Sequence, residues 1–206
     1  MVVYKTVGEG EIAMAKLHRV FILFSCAIVP FLQGASQLDE PTYDDNVYVN
    51  CPYRVAAIFP RTPTIRDFTY TNGGRSVPAR EFYTQQGADR FSVIVADFTN
   101  GPAVDEKLID TAAAPFRQRG EVRFQFAAEY DPGIPGRQLD IFQPNGRQLR
   151  ASVYMAEHRL YITEANSAPG DFAALQFEQS VSLINAQGTD LDKNGNLPSR
   201  QYNCWK

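Results

Sequence analysis

Histidine and cysteine are scarce in this chain, and their scarcity limits the chemistry that it can perform. Its 206 residues include two histidines and three cysteines. Catalysis of the Ser–His–acid or Cys–His type depends on a histidine base. His18 lies in a segment that we interpret below as a signal peptide, which leaves His158 for this role. We expect His158 to lie in a turn between two strands, as a solvated surface residue, and we assign no catalytic residue.

The motifs of common metal, nucleotide and redox sites are also missing. The sequence has no paired His and Cys residues at zinc-ligand spacing, no Cys-x-x-Cys motif, no glycine-rich phosphate loop and no Gly-x-Ser-x-Gly elbow. Its 20 Lys and Arg residues stand against 23 Asp and Glu residues, with no basic block and a net charge of −3. Nucleic-acid binding is disfavoured, because neutralising phosphates requires a concentrated positive face.

A long apolar run is absent as well, and the main short run lies near the N-terminus. Residues 16–19 contain Lys and Arg, residues 20–31 are mostly apolar, and residues 34–36 are small. About a dozen apolar residues are too few for a membrane-spanning helix, which needs ~20, whereas this order is typical of a secretory signal peptide. We therefore expect residues 1–36 to be a cleaved signal peptide, with Met14 as an alternative translation start. A membrane-tethered, uncleaved form is the alternative.

Signal cleavage would change the cysteine count from odd to even. It would remove Cys26 and leave Cys51 and Cys204. An even number of cysteines in an oxidising compartment favours a disulfide, which would join the start of the folded domain to its C-terminus. Two free thiols are the alternative.

Alternating and helical apolar patterns predict an α+β domain over residues 51–185, between a leader at 37–50 and a polar tail at 186–206. The predicted strands cover residues 53–59, 66–71, 80–85, 90–98, 122–128, 138–143, 149–155 and 159–163. One helix is predicted to follow Val104 and another to begin at Asp171, each with one apolar face. The strand at 90–98 is apolar on both faces, which indicates a strand covered on both sides. Short turns and helices between strands favour an antiparallel sheet with helices packed on its faces.

The order of these elements resembles the family of the photosystem extrinsic protein PsbP and the eukaryotic Ran-binding import factor that shares its fold. The segments that carry the resemblance are Tyr53 to Pro60, Leu108 to Arg119, Gly136 to Met155, Arg159 to Ile162 and Phe172 to Leu183. It spans residues 51–185 and implies an α/β/α sandwich around an antiparallel sheet. It also implies a binding or assembly role without catalysis. No motif marks a site, so no functional residue follows from the resemblance.

The tail contains a pattern that partly matches a calcium-binding loop. Asp190, Asp192 and Asn194 occupy positions 1, 3 and 5 of an EF-hand-like loop, and Asn196 adds a further side-chain oxygen. Gln201 stands at position 12, where a bidentate carboxylate is required. We expect at most weak calcium binding and no other cofactor. The alternative is a polar turn that brings the tail back toward Cys51.

Arginine and tyrosine side chains cluster on what we expect to be the outer face of a hairpin. They are Arg150, Tyr154, Arg159 and Tyr161, and these residue types are favoured at protein interfaces. The alternative is an ordinary sheet face covered by a helix.

Together these patterns predict an exported, periplasmic or secreted, non-catalytic binding or assembly module. Its partner would be a protein or small ligand of the cell envelope, and we expect a monomer. An envelope hydrolase that uses carboxylates on loops is the alternative function.

Overall fold

Residues 42–44, 46–193 and 200–204 are described by the computed structural model, and they form two antiparallel sheets and two α-helices. The predicted signal peptide, residues 1–36, lies outside the described residues, as do Asn194 and Asn196 of the predicted calcium loop. Within the described part of the chain, no helix has the length and apolar character needed to cross a membrane.

The larger sheet has seven strands and forms the centre of the domain. The elements in chain order are β1 (Thr42–Asp44), β2 (Val47–Asn50), β3 (Val55–Ala57), β4 (Thr64–Asn72), β5 (Arg75–Gln86), β6 (Asp89–Asp97), α1 (Glu106–Arg117), β7 (Glu121–Glu129), β8 (Pro135–Phe142), β9 (Gln148–Ala156), β10 (Arg159–Ser167), α2 (Phe172–Ser180) and β11 (Ser182–Leu183). The order in the large sheet is β4-β5-β6-β10-β9-β8-β7, and in the small sheet β1-β2-β3-β11. The chain leaves the large sheet after β6 through α1, enters again at the far edge as β7, and returns by hairpins to β10 beside β6.

Each face of the large sheet is covered by a different set of elements, which confirms the predicted α+β class with helices on both faces. On one face, α1 packs Leu108, Ile109 and Ala112 into a core cluster with β8, β9 and β10. On the other face, α2 and the small sheet share a second cluster with β5, β6 and β10. The strand predicted to be apolar on both sides contributes to both clusters, with Val93 in one and Ala96 in the other.

Helix α1 begins where its sequence provides a cap. The Asp105 side chain accepts hydrogen bonds from the backbone N–H groups of Lys107 and Leu108, which satisfies two donors that have no partner within the helix. Pro115 lies in the last turn, and the helix ends at Arg117 with Gln118 as its C-terminal cap. Gly120 lies beyond that cap. A Cβ atom there would collide with the backbone of Phe142, so close strand contact requires this glycine.

The domain extends beyond the predicted range of 51–185 in both directions. The expected leader, 37–50, contains β1 and β2, and Val49 is buried. In the expected tail, 186–206, Tyr202 is 2% exposed, and its N–H group donates to the carbonyl of Gly188 at 2.8 Å. The leader and the tail contain too few apolar residues for their secondary structure to be predicted from the sequence. They become ordered by packing on β3 and β11.

The predicted disulfide between Cys51 and Cys204 is present and joins residues 153 positions apart in sequence. It lies beside a small cluster that includes Val47, Ile184 and Tyr202. The disulfide therefore fastens the C-terminal segment to the small sheet.

Candidate functional site

A cavity of about 240 Å³ lies between the large sheet and the C-terminal end of α2. We call it the α2 cavity. Its polar lining includes Tyr130, Gln138, Ser152, Tyr154, Thr163 and Glu178. These side chains come from three adjacent strands, from α2 and from the residue after β7, so a contiguous part of the fold forms the site.

The floor of the α2 cavity is a row of polar residues that crosses three neighbouring strands. Ser152 on β9 lies opposite Gln138 on β8 and opposite Thr163 on β10. Directly opposed residues of antiparallel strands point to the same face, so the three side chains lie side by side. Ser152 and Thr163 are buried, and the Thr163 hydroxyl accepts a hydrogen bond from the Ser152 N–H at 3.2 Å. Buried polar side chains in a row are costly in a sheet unless they have partners.

One wall of the α2 cavity is held by an ion pair between the helix and the sheet. Arg150 Nη1 lies 2.6 Å from Glu178 Oε2, which links β9 to α2. Beside this pair, Gln138 Nε2 donates to the Tyr154 hydroxyl at 2.6 Å. The Arg150–Glu178 ion pair and the hydrogen bond from Gln138 to Tyr154 fix the positions of charged and neutral side chains around the α2 cavity.

Tyr130 is a further part of the lining, and it links the cavity to the C-terminal segment. Its hydroxyl donates to Asp190 Oδ1 at 2.6 Å and accepts from the Leu183 N–H at 3.1 Å. Burial and then the neighbouring Asp190 carboxylate raise the pKa of Tyr130. Burial also raises the pKa of Tyr154. Both phenols therefore stay protonated near neutral pH, where they form hydrogen bonds and do not act as bases.

Tyr154 and Tyr161, which we predicted to belong to an exposed interface, are instead 7% and 1% exposed. They face the side of the sheet that α2 and the small sheet cover, and the Tyr154 ring packs 5.7 Å from the Tyr130 ring. The structure therefore supports the alternative, a covered sheet face. Arg150 is held by Glu178, and Arg159 is partly buried at the start of β10.

His158 lies in the predicted turn, between β9 and β10, with a positive φ of 65°. It is less solvated than we expected, because its Nδ1 lies 2.9 Å from the Gly101 carbonyl. Its backbone N–H donates to the carbonyl of Ala103 at 3.1 Å. The histidine thus secures the loop before α1, and it is not among the described residues that line the α2 cavity.

The predicted calcium loop is only partly described. Asp190 accepts hydrogen bonds from Tyr130 and from the Asp192 N–H, at 2.6 and 3.0 Å. In the described part of the chain, no group of three or more His, Cys, Asp or Glu side chains could hold a metal ion. The Asp190 carboxylate accepts hydrogen bonds from within the domain. Calcium binding at this loop stays a prediction.

The polar row of the α2 cavity was missed at the sequence level, although the sequence contains a signal for it. Ser152 and Thr163 occupy inward positions between apolar residues that alternate along β9 and β10. A polar residue at an inward position is unfavourable unless it has a partner or lines a space. Searching each predicted strand for such residues would have found Ser152 and Thr163.

Similarity to known proteins is found among solved structures. No protein-family model and no curated protein matches the chain. Among solved structures, the chain is similar to cyanobacterial PsbP from Synechocystis sp. PCC 6803, with 14% identity over 73% of this chain and 96% of that chain and a TM-score of 0.42. It is also similar to a Pseudomonas aeruginosa protein of unknown function, with 14% identity over 52% of this chain and 85% of that chain and a TM-score of 0.31. The first is a member of the family that the order of elements resembles.

Proposed function

We propose that the chain is an exported binding module that holds a small polar ligand in the α2 cavity and does not transform it. The observation that carries the proposal is the row formed by Gln138, Ser152 and Thr163. It places one amide and two hydroxyl groups side by side under an opening, at a position where an apolar row would pack better. Ligand sites are typically concave and contain a few convergent polar groups.

The lining indicates the class of ligand. Glu129 contributes a carboxylate, Glu178 contributes a second one that is paired with Arg150, and none of the described lining residues is Lys or Arg. Such a lining favours a neutral or cationic ligand with hydroxyl or amino groups over an anion. The volume of about 240 Å³ is below the ~300–1,000 Å³ typical of drug-sized ligands, so the ligand would be small.

Absence of catalysis is part of the same proposal. The tyrosines of the α2 cavity have raised pKa values, and no histidine or cysteine is among its described lining residues. The lining can orient a ligand through hydrogen bonds, but it offers no pair of nucleophile and base.

Export is supported by the Cys51–Cys204 disulfide, because disulfides persist mainly in oxidising compartments. The intact mass of protein recovered from the cell envelope would test this part. We expect a chain without residues 1–36 and two hydrogens lighter than its reduced form. Retention of the apolar segment at 20–31 would contradict cleavage.

Binding can be tested by titrating small polyols, monosaccharides and primary amines into ¹⁵N-labelled protein. We expect at least one class to shift the amide signals of Gln138, Ser152 and Thr163. Thr163→Val, which keeps the side-chain shape but removes the hydroxyl, should weaken that response about tenfold. Thr71→Val, at an exposed threonine on β4 that is not among the described lining residues of the cavity, is the control. If no probe shifts these amides, or if the two variants respond alike, the cavity is not the binding site.

A further inference from the structure

A second cavity, of about 190 Å³, lies at the other end of α2. We call it the hairpin cavity, because β5 and β6 form its floor. Two cross-strand pairs build that floor, Thr84 opposite Phe91 and Gln86 opposite Asp89. The start of α2, with Asp171 and Ala173, and the loop after β3, with Pro60 and Arg61, complete the lining. The hairpin cavity shares no described lining residue with the α2 cavity.

Thr84 is the residue that sets this cavity apart from an ordinary surface depression. It is 7% exposed, and no described group forms a hydrogen bond with its Oγ1 atom. Burying a hydroxyl without a partner costs about 1–3 kcal/mol in protein mutational data, and most buried polar side chains in folded proteins have a partner. A ligand that hydrogen-bonds to Thr84 would remove that cost.

Charges of both signs border the hairpin cavity on different elements. Arg61 is exposed on the loop after β3, so its guanidinium is available to an acidic group. Asp171, the N-cap of α2, and Asp89, at the start of β6, supply carboxylates. Arg147 lies 2.5 Å from Asp89 and offsets its charge, which leaves Asp171 as the main anionic group. Phe91 is 4% exposed and provides an apolar surface within the lining.

We propose that the hairpin cavity binds a zwitterionic ligand of amino-acid size. The carboxylate of the ligand would pair with Arg61, its ammonium group with Asp171, and either group could hydrogen-bond to Thr84. A simple anion would be repelled by Asp171, and a simple cation would be repelled by Arg61 and by the positive end of α2. A zwitterionic ligand can place its carboxylate beside Arg61 and its ammonium group beside Asp171, so neither repulsion applies to it as a whole.

The Asp171 side chain accepts a hydrogen bond from the Ala173 N–H at 2.9 Å, so its replacement must preserve the cap. Asn is as favourable as Asp at the N-cap position. Asp171→Asn therefore removes the charge while keeping the helix start. Thr84→Val removes the hydroxyl while keeping the side-chain shape.

The test is calorimetric titration of the full-length protein with glycine, alanine and serine, and separately with ethylamine and with acetate. We expect the amino acids to bind more tightly than either single-charge probe. Asp171→Asn, Arg61→Gln and Thr84→Val should each weaken amino-acid binding about tenfold or more. Thr71→Val, on β4 and outside the described lining of both cavities, should leave it unchanged. Ethylamine binding as tight as glycine binding would overturn the zwitterion assignment. Equal binding by wild type and all three hairpin-cavity variants, or no binding at millimolar concentrations, would overturn the site.

Discussion

Removing the disulfide is the most informative perturbation of the fold. Replacing both Cys51 and Cys204 by Ser opens a covalent loop whose ends are 153 residues apart. In the chain-entropy model, closing a loop of this length stabilises the folded state by about 5 kcal/mol, through its effect on the unfolded chain. Many domains are stable by only ~5–15 kcal/mol, so we expect a large fall in the free energy of unfolding.

The same change should also loosen the C-terminal segment locally. Residues 200–204 are held by the disulfide and by contacts of Tyr202, which is 2% exposed. Its hydroxyl lies 2.9 Å from the Ser182 hydroxyl, and its N–H donates to the Gly188 carbonyl at 2.8 Å. Without the covalent link, ordering this segment must be offset by these contacts alone. We therefore expect faster amide hydrogen exchange at Tyr202.

Urea denaturation of three samples tests this reasoning: oxidised wild type, reduced wild type and the double Ser variant. The reduced protein and the variant should agree with each other, and both should be less stable than the oxidised protein by up to ~5 kcal/mol. The m-value should increase, because the unlinked unfolded chain exposes more surface. If the double Ser variant unfolds within about 1 kcal/mol of the oxidised protein, the entropic account fails for this fold.

Two further predictions concern α2 and Tyr130. Phe177 is 1% exposed and its ring packs 5.1 Å from the Phe59 ring, so Phe177→Ala should lower the free energy of unfolding by about 3–5 kcal/mol in urea denaturation. Phe172→Ala on the same helix, at 73% exposure, should change it by less than about 0.5 kcal/mol. Similar losses in the two variants would show that α2 does not anchor this face of the sheet. Because burial and Asp190 raise the pKa of Tyr130 above 10.0, the folded state holds this proton more tightly than the unfolded chain, and its contribution to stability is lost as the pH rises above 10. Tyr130→Phe should make stability less dependent on pH between 10 and 12, measured by denaturation at each pH, and an unchanged pH dependence would contradict the assignment.

Most of the large sheet could be predicted because its strands carry long alternating patterns. Residues 90–98, apolar on both faces, form β6, an interior strand of the sheet. The pattern at 149–155 became β9, and the Asp105 and Asp171 caps stand where α1 and α2 begin. In these elements the local apolar pattern agrees with the tertiary packing, so their positions could be predicted from the sequence.

The small sheet could be predicted only in part, because its strands are stabilised by distant contacts. The strand predicted at 53–59 contains β3, but β1 and β11 have three and two residues, too short for periodicity to be recognised. β11 pairs with β3 across more than a hundred positions of sequence, and β2 pairs with β3 on its other side. A pattern of a few residues indicates neither its partner nor its burial.

The interface prediction failed for a related reason. Alternation along β9 and β10 places Tyr154 and Tyr161 correctly on one face, but it does not show which face is covered. Tyrosine is found both in cores and at interfaces, because it has an apolar ring and a polar hydroxyl. The cover comes from α2 and the small sheet, and only the tertiary structure shows where they lie.

The size of α2 explains why both proposed sites lie where they do. Its nine residues span ~13 Å at 1.5 Å per residue, whereas the nine residues of β10 span ~30 Å at 3.3–3.4 Å per residue. The helix cannot cover the strands from end to end, and one cavity opens at each of its ends, beside Asp171 and beside Glu178. It also cannot cover the sheet sideways, because seven strands spaced ~4.8 Å apart are about 29 Å across and a helix is ~10 Å wide. The uncovered part includes β7, where Phe124 is 66% exposed. A short helix on a wide sheet therefore makes two cavities possible on one face, and polar residues at inward positions of β5, β9 and β10 are what distinguish those cavities from packing gaps.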